Sequence, residues 1–191
     1  MTGSPSRREV EVKIPVSDLG RIRSLLAAGG GVPARPRHDE SNVLFDEPGG
    51  RLAAAGCALR LRRADDRTTL TFKGPARFES GIKTREERET AVEDYAEAEA
   101  ILRGLGFLPR FRYEKRREEW RHSDCVIALD ETPIGAFVEI EGDPPAIRRV
   151  VAALDLDFTA ALPYSYAGLY ARRRKEDPSL PADMVFSGEA P

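Results

Sequence analysis

The sequence predicts a single α+β domain in which antiparallel strands place charged side chains around a shared interior. Residues 9–14 alternate strictly between charged and aliphatic side chains, which is typical of a β-strand with one polar and one apolar face. Later segments repeat this alternation with two or three charges at i, i+2 spacing, and helical segments lie between them. No linker and no fixed-period repeat divides the chain. If the charged faces all point inward, the sheet forms a polar-lined barrel or tunnel.

Composition excludes several classes of protein. The 191 residues are enough for one sizeable core, and 30 Lys and Arg nearly balance 32 Asp and Glu. A generic nucleic-acid binder would carry a basic excess, so we expect no specific nucleic-acid partner. Two cysteines without a CxxC motif, and two distant histidines, support neither a zinc site nor a disulfide framework. With no apolar N-terminal segment and no membrane-length run, we expect a cytoplasmic protein without a membrane partner.

The first quarter of the chain predicts a strand, a helix and a second strand. The first strand is expected to end at Pro15, because proline donates no ladder hydrogen bond. Ser17 is expected to cap a helix, and the three glycines at 29–31 are expected to end it. After a polar stretch, residues 43–46 are predicted as a short strand.

A charged hairpin and a helix are predicted next. Strands at 58–62 and 69–73 are joined by a turn at 65–66, and they place Arg60, Arg62 and Lys73 on one polar side. Segment 83–89 carries charge on both faces, so a strand and a helical start both remain open there. A helix is predicted from Val92 to Gly104 or Gly106.

The second half of the chain predicts three further strands and two helices. Residues 111–122 form either a strand or a solvated charge run, and 125–130 and 135–142 are predicted strands. Helices are predicted to begin at Pro144 and Ser165. The predicted domain covers residues 8–176. Residues 1–7 and 177–191 are predicted as flexible termini, although 184–186 could pack.

The polar strand faces sort into two groups by charge. Crowded carboxylates repel one another, and oxygen ligands without Cys or His suit Mg²⁺ or Mn²⁺. Arginine and lysine suit phosphate oxygens, so a phosphate chain carrying a divalent metal would satisfy both groups. The carboxylates are Glu9, Glu11, Glu139 and Glu141, with Glu87, Glu89 and Asp130 as further candidates. The cations are Lys13, Arg60, Arg62, Lys73, Lys115 and Arg117, with Arg85 as a further candidate.

The spacing by itself leaves a second interpretation open. Cross-strand ion pairs on an exposed sheet would give the same pattern, and such pairs contribute only about 0 to 1 kcal/mol each. They are therefore common without any function.

A family resemblance favours the site. The N-terminal Glu9-x-Glu11-x-Lys13 resembles the signature of the CYTH superfamily, the triphosphate tunnel metalloenzymes, and the similarity covers about residues 8–176. The further motifs that follow in the family's order are Leu59-Arg60-Leu61-Arg62, Phe72-Lys73-Gly74-Pro75, Arg85-x-Glu87-x-Glu89, Lys115-x-Arg117, Phe137-Val138-Glu139-Ile140-Glu141 and Ser165-Tyr166-x-x-Leu169.

The resemblance implies an eight-stranded antiparallel barrel that forms a triphosphate tunnel, with helices packed outside. It implies Mg²⁺ or Mn²⁺ at Glu9, Glu11, Glu139 and Glu141 and an acidic tunnel position at Asp130. It also implies that the triphosphate is held by Lys13, Arg60, Arg62, Lys73 and Arg117, with Arg85 as a further candidate. Lys115 matches a position that helps to activate water in some members, and Glu11 is the carboxylate we expect turnover to require. Some members also place a C-terminal lysine in the tunnel, for which residues 172–175 are the candidates.

Three functions follow as hypotheses. The leading one is metal-dependent hydrolysis of tripolyphosphate or an organic triphosphate such as thiamine triphosphate, with Lys115 assisting proton transfer beside neighbouring cations. The second is a class IV adenylate cyclase, which converts ATP into cyclic AMP and pyrophosphate and needs an adenosine pocket at a tunnel mouth. The third is a polyphosphate- or nucleotide-binding module without turnover. The partner is a small triphosphate in each case, and we allow for a homodimer.

Overall fold

The strands of this protein form one antiparallel sheet that closes on itself. The computed structural model describes residues 7–187. Of the two termini predicted to be flexible, residues 1–6 and 188–191 lie outside the described residues. The strands in this part of the chain are β1 (Arg7–Val16), β2 (Val32–Asp46), β3 (Ala58–Ala64), β4 (Arg67–Lys73), β5 (Arg77–Glu79), β6 (Ile82–Val92), β7 (Leu108–His122), β8 (Cys125–Thr132) and β9 (Gly135–Glu141).

Eight of these strands make a closed barrel. They follow the order β1-β9-β8-β7-β2-β3-β4-β6, and β1 also pairs with β6, which completes the circle. The short β5 pairs with the start of β6 as an extra strand outside the circle. The predicted α+β fold with an eight-stranded antiparallel barrel is therefore confirmed.

The helices lie outside the barrel. Asp18, and not Ser17, caps the first one, because its Oδ1 accepts a hydrogen bond from the backbone N–H of Arg21 at 3.1 Å. The last one is capped by Ser165 as predicted, and the four-residue α2 was not predicted. Between residues 7 and 187 the helices are α1 (Leu19–Ala28), α2 (Arg51–Ala54), α3 (Tyr95–Gly104), α4 (Pro144–Ala153) and α5 (Tyr166–Glu176).

Most strands are longer than the sequence predicted, and β1 and β2 show why. β1 continues through Pro15, which pairs with Phe137 of β9, to Val16. Its pairing with β6 stops at Glu11, so Pro15 lies where β1 has one neighbouring strand, and a missing donor is tolerated there. β2 begins at Val32, eleven residues before the predicted start, because its polar half pairs with β7. Segment 83–89, left open between strand and helix, belongs to strand β6.

The apolar core lies between the barrel wall and the helices. The largest cluster packs α1 and α4 on β1, β8 and β9, with Val12, Val138 and Ile140 fully buried. A second cluster packs α3 on β2 and β3, through Leu102, Val43 and Leu61. Because these side chains alternate with the charged ones along each strand, the charged faces are turned to the inside of the barrel.

A third cluster lies at one end of the barrel and includes the segment after α5. Met184 is 1% exposed and packs among Tyr113, Tyr166 and Tyr170. Its backbone N–H donates to the carbonyl of Arg112 at 3.0 Å, and its carbonyl accepts from the N–H of Glu114 at 2.9 Å. β8 pairs with β7 only from residue 116 onward, so this segment covers an edge of β7 that β8 leaves open.

These contacts predict that Met184 stabilises the domain. Replacing it in Met184→Ala removes a fully buried side chain and is expected to lower the free energy of unfolding by about 2–5 kcal/mol. The neighbouring Val185 is 40% exposed, so Val185→Ala is the control and should change it by less than about 0.5 kcal/mol. Urea denaturation followed by circular dichroism measures both. Equal, small losses in the two variants would contradict a packed segment.

A candidate active site in a charged tunnel

The interior of the barrel contains a cavity of about 750 Å³ lined by charged side chains from six strands, β1, β3, β4, β6, β7 and β9. Every residue predicted for the site lines this cavity except Asp130. They are Glu9, Glu11, Lys13, Arg60, Arg62, Lys73, Arg85, Glu87, Glu89, Lys115, Arg117, Glu139 and Glu141. The structure thus brings residues that are up to 132 positions apart in sequence into one space, and the exposed-sheet interpretation is wrong.

On one side of the tunnel, lysines hold the carboxylates of β1 and β6. Lys73 Nζ donates to Glu9 Oε1 at 2.7 Å and to Glu87 Oε2 at 2.8 Å. Lys83 Nζ donates to Glu11 Oε1. Burial raises the pKa of Glu87, but the charge and hydrogen bond of Lys73, together with Glu9 and Arg60, outweigh burial, and the net pKa is lowered. For Lys83, burial lowers the pKa of the ammonium group, but the nearby charges of Glu11 and Glu9 act in the opposite direction. The net pKa of Lys83 is raised.

On the opposite side, Arg117 links β8 and β9. It donates to both oxygens of Asp130, at 2.7 and 2.6 Å, and also to Glu139. Lys13 Nζ lies 2.9 Å from the other oxygen of Glu139. Burial opposes ionisation of both groups. The charges of Lys13 and Arg117 nevertheless hold the pKa of Glu139 well below its usual value, and the charges of Asp130 and Glu139 hold the pKa of Arg117 well above its usual value. Both groups are therefore charged at neutral pH.

Asp130 lies behind the cavity wall. Its side chain is fully buried, and Oδ2 accepts a hydrogen bond from the Tyr166 hydroxyl at 2.6 Å. The Tyr166 ring also lies 3.5 Å from Lys13 Nζ, a cation–π contact. With Arg117 on both oxygens, the geometry places Asp130 as a residue that orients tunnel cations. Its predicted role as a metal ligand stays a prediction.

Two arginines of β3 share a carboxylate of β6. Glu89 Oε2 accepts from Arg62 at 3.1 Å, from Arg60 at 3.4 Å and from the Thr71 hydroxyl at 2.8 Å. The Arg60 side chain is 9% exposed and the Arg62 side chain 17% exposed, so both guanidinium groups border the cavity. A polyanion that entered the tunnel would meet these groups with their forks already positioned.

Arg85 has a different environment from the other predicted phosphate ligands. Its Nε and Nη2 donate to the carbonyl of Gly74 at 3.1 and 2.7 Å, which fixes the loop after β4. Burial lowers the pKa of Arg85 in spite of the nearby charges of Glu9 and Glu11. The C-terminal candidates at 172–175 are exposed, and none of them lines the cavity.

Sequence reasoning missed Glu40. It lies on β2 with its side chain 1% exposed, 3.4 Å from Lys115 Nζ and 3.4 Å from Arg62 Nη1. Burial would raise the pKa of Glu40, but the charge of Lys115 and the His38 ring, whose Nε2 lies 3.6 Å away, hold it well below its usual value. The available signal was the i, i+2 spacing of His38, Glu40 and Asn42, all buried, inside a stretch that we interpreted only as polar.

The environment of Lys115 also differs from the prediction. Its Nζ lies between Glu40, at 3.4 Å, and Asp130, at 3.3 Å. The expected neighbours were cations, but its ion-pair partners are carboxylates. The strand register brings them together, because Lys115 lies directly opposite Glu40 in the β2–β7 pair.

The donor chemistry of the tunnel fits a hard divalent cation. Glu9, Glu11, Glu139 and Glu141 supply oxygen atoms alone, and Oε2 of Glu9 is buried without a hydrogen-bond partner. Among residues 7–187, no three acidic, His or Cys side chains converge closely enough to hold a metal as they stand. The cations described above lie between the carboxylates, so a divalent cation would have to displace lysine from them.

Fold and site together define a barrel protein with an internal tunnel lined by cations and carboxylates. The CYTH domain family model matches residues 7–159, and the chain belongs to this family. In the described part of the chain, no helix is long and apolar enough to span a membrane.

Three relatives illustrate the match. A protein of Methanocaldococcus jannaschii named "Putative adenylate cyclase" is 29% identical over 134 residues, 70% of this chain and 75% of the relative. A Vibrio parahaemolyticus structure described as "a putative adenylate cyclase" has 21% identity and a TM-score of 0.75, and the match covers 87% of this chain and 99% of that one. The Hippeastrum protein HpAC1 has 20% identity and a TM-score of 0.65, with 92% and 99% covered, and is described as having "a dominant triphosphatase activity".

The depressed pKa of Glu40 predicts a pH-dependent contribution to stability. The contribution is present above the usual pKa of 4.5 and is lost as the pH falls through the lower folded-state pKa, because the unfolded chain then binds the extra proton. Glu40→Gln should therefore have a lower free energy of unfolding than wild type at pH 7. The gap between the two free energies should narrow below about pH 4.5. Urea denaturation at intervals from pH 7 to acid measures this gap. A gap that stays constant with pH would contradict the assignment.

Proposed function

We propose that this protein hydrolyses triphosphate substrates inside the tunnel with the help of a divalent cation. The observation that carries the proposal is the convergence of Lys13, Arg60, Arg62, Lys73, Lys115 and Arg117 with four separate β1 and β9 carboxylates on one cavity. Cations alone would suffice to bind a phosphate chain. The added carboxylates give the site the oxygen donors that phosphoryl-transfer sites use for divalent metal ions.

The cations are arranged to take a phosphate chain from opposite walls. Arg60 and Arg62 lie on β3 and Lys73 on β4, while Lys13 and Arg117 lie across the barrel on β1 and β7. A triphosphate would replace Glu89 as the hydrogen-bond acceptor of the two β3 arginines, and phosphate oxygens suit their bidentate geometry. Binding between two walls fixes the chain along the tunnel, so the bond to be cleaved is held in a defined position.

The chemistry needs little more than positioning and charge. A divalent cation held by Glu9, Glu11, Glu139 and Glu141 would supply Lewis acidity and lower the cost of charge on the phosphate oxygens. Arg117, oriented by Asp130, would stabilise negative charge that develops on the transferred group. Lys115, held between Glu40 and Asp130, would donate a hydrogen bond to a phosphate oxygen or to the attacking water.

The relatives favour two chemistries on the same tunnel. The activity described for the Hippeastrum protein supports hydrolysis, and the name of the Methanocaldococcus protein supports the class IV cyclase as a second candidate. The cyclase requires the ribose 3′-hydroxyl to attack the innermost phosphorus.

One feature of the structure favours a substrate with an organic group. A second, mostly apolar cavity of about 270 Å³ adjoins the tunnel between α5 and the start of β3. Leu44, Ala58 and Ala167 line both cavities, so an organic group attached to the phosphate chain would have an apolar site at this mouth. This supports thiamine triphosphate or ATP over tripolyphosphate.

Product analysis distinguishes the functions. Purified protein is incubated with Mg²⁺ or Mn²⁺ and with tripolyphosphate, thiamine triphosphate or ATP. We expect orthophosphate, and we expect Glu11→Ala to abolish metal-dependent release while keeping the wild-type circular dichroism spectrum. Cyclic AMP with pyrophosphate from ATP would establish the cyclase instead. Binding of the substrates without any product would show a non-catalytic module, and full activity of Glu11→Ala would overturn the metal assignment.

A matched pair of arginines tests the phosphate ligands. Arg62 points into the tunnel, whereas its neighbour Arg63 is exposed and lies over the Tyr95 ring at 4.5 Å. Arg62→Gln removes a charge-assisted hydrogen bond and should lower kcat/KM about 10- to 100-fold. Arg63→Gln should leave kcat/KM within about twofold of wild type, since it faces away from the substrate. Equal losses in the two variants would refute the assignment of Arg62.

A further inference from the structure

Lys83 is a tunnel cation that no motif pointed to. It lies on β6 with its side chain 8% exposed, and its ammonium group is bound to Glu11 Oε1. Lys83 and Glu11 are direct partners in the β1–β6 pair, so the backbone register itself places one side chain against the other. The contact is therefore part of the barrel and does not depend on a flexible surface side chain.

The other neighbour of Glu11 explains why a cation is needed there. In the β1–β9 pair, Glu11 is the direct partner of Glu141, and both side chains line the tunnel. Like charges directly opposite each other on a sheet are destabilising. Lys83 approaches from the β6 side and offsets the charge of Glu11 without any ligand.

We propose that Lys83 is the resident counter-cation of Glu11, which a divalent metal ion must displace in order to bind. The inference rests on the proposed function, since it concerns the carboxylates assigned to the metal. An ammonium group and a divalent cation compete for the same Glu11 oxygen and repel each other at short range. Lys83 therefore weakens metal binding to the empty tunnel.

The same geometry couples metal binding to phosphate binding. Lys83 lines the cavity, so its ammonium group, once released from Glu11, still lies beside the space where a phosphate chain would enter. A bound polyphosphate gives this ammonium a new anionic partner and so lowers the cost of displacing it. Metal and polyphosphate thus raise each other's affinity through Lys83, and neither binds as tightly alone. Lys73 differs in being hydrogen bonded to two carboxylates, Glu9 and Glu87.

Calorimetric titration of the full chain with Mn²⁺ tests this inference without an activity assay. Lys83→Met keeps the length and apolar stem but removes the charge, so Mn²⁺ should bind the substrate-free protein about tenfold more tightly than wild type. Lys83→Arg keeps the charge and should retain weak binding. The exposed Lys175 of α5 gives the control Lys175→Met, which should leave Mn²⁺ affinity unchanged.

A second titration tests the coupling. Saturating tripolyphosphate should strongly raise the affinity of the wild-type protein for Mn²⁺. This rise should exceed what the affinity of tripolyphosphate itself for Mn²⁺, measured in a titration without protein, can explain. The rise should be smaller in Lys83→Met, because no ammonium group remains to be released. Lys83→Gln serves as an alternative if thermal melting shows that Lys83→Met is unfolded at the titration temperature.

The outcomes separate this inference from the proposed function. If Glu11→Gln weakens Mn²⁺ binding but Lys83→Met and Lys83→Gln bind Mn²⁺ no more tightly than wild type, the role of Lys83 is overturned and the metal site stands. If Glu11→Gln leaves Mn²⁺ affinity unchanged, the metal assignment fails, and the inference fails with it. Tighter binding in Lys83→Met together with a reduced effect of tripolyphosphate supports the inference.

Discussion

Compensation of charge inside the barrel is the constraint on which the rest of this structure depends. Removing ionised groups from water costs several kcal/mol each, and attraction offsets this cost only where partners meet in good geometry. The barrel meets the requirement by placing opposite charges on facing or neighbouring strands, as with Lys13 and Glu139, which are direct partners between β1 and β9. Removing one member would weaken the compensation of its partner, so these side chains stabilise the fold and also position the site.

A charged interior also decides where the apolar core lies. A barrel filled with aliphatic side chains would have its core inside, but here the inner face is polar, and the outer face carries Val12, Val138 and Ile140. Those side chains need cover, which α1 and α4 supply on one side and α3 on another. At the end of the barrel, α5 and Met184 pack on Tyr113 and Phe137. The helices are thus a consequence of the tunnel, because the strands have no other way to bury their second face.

The same constraint connects the fold to the proposed chemistry. The tunnel carboxylates of Glu9, Glu11 and Glu139 are each held by a cation, and Lys73 and Arg117 are each held by a carboxylate. A metal–phosphate complex carries both charges in one ligand, so it can take over both sets of contacts together. Either charge alone would leave part of the interior uncompensated. If the proposed function holds, the arrangement of strands that makes the barrel stable would therefore also favour the combined ligand.

The sequence by itself determined which side chains face the same way, since the period of two along a strand assigns Glu9, Glu11 and Lys13 to one face whatever the partner strand. It also determined the order of the motifs and the α+β class. Only the tertiary structure decided which charges meet. Register and closure set Lys83 against Glu11 and Glu40 against Lys115, and they let β1 continue through Pro15 where one neighbour is missing. The physical reason is that alternation is a local property of the backbone, whereas strand pairing joins residues far apart in the chain, and no local pattern records it.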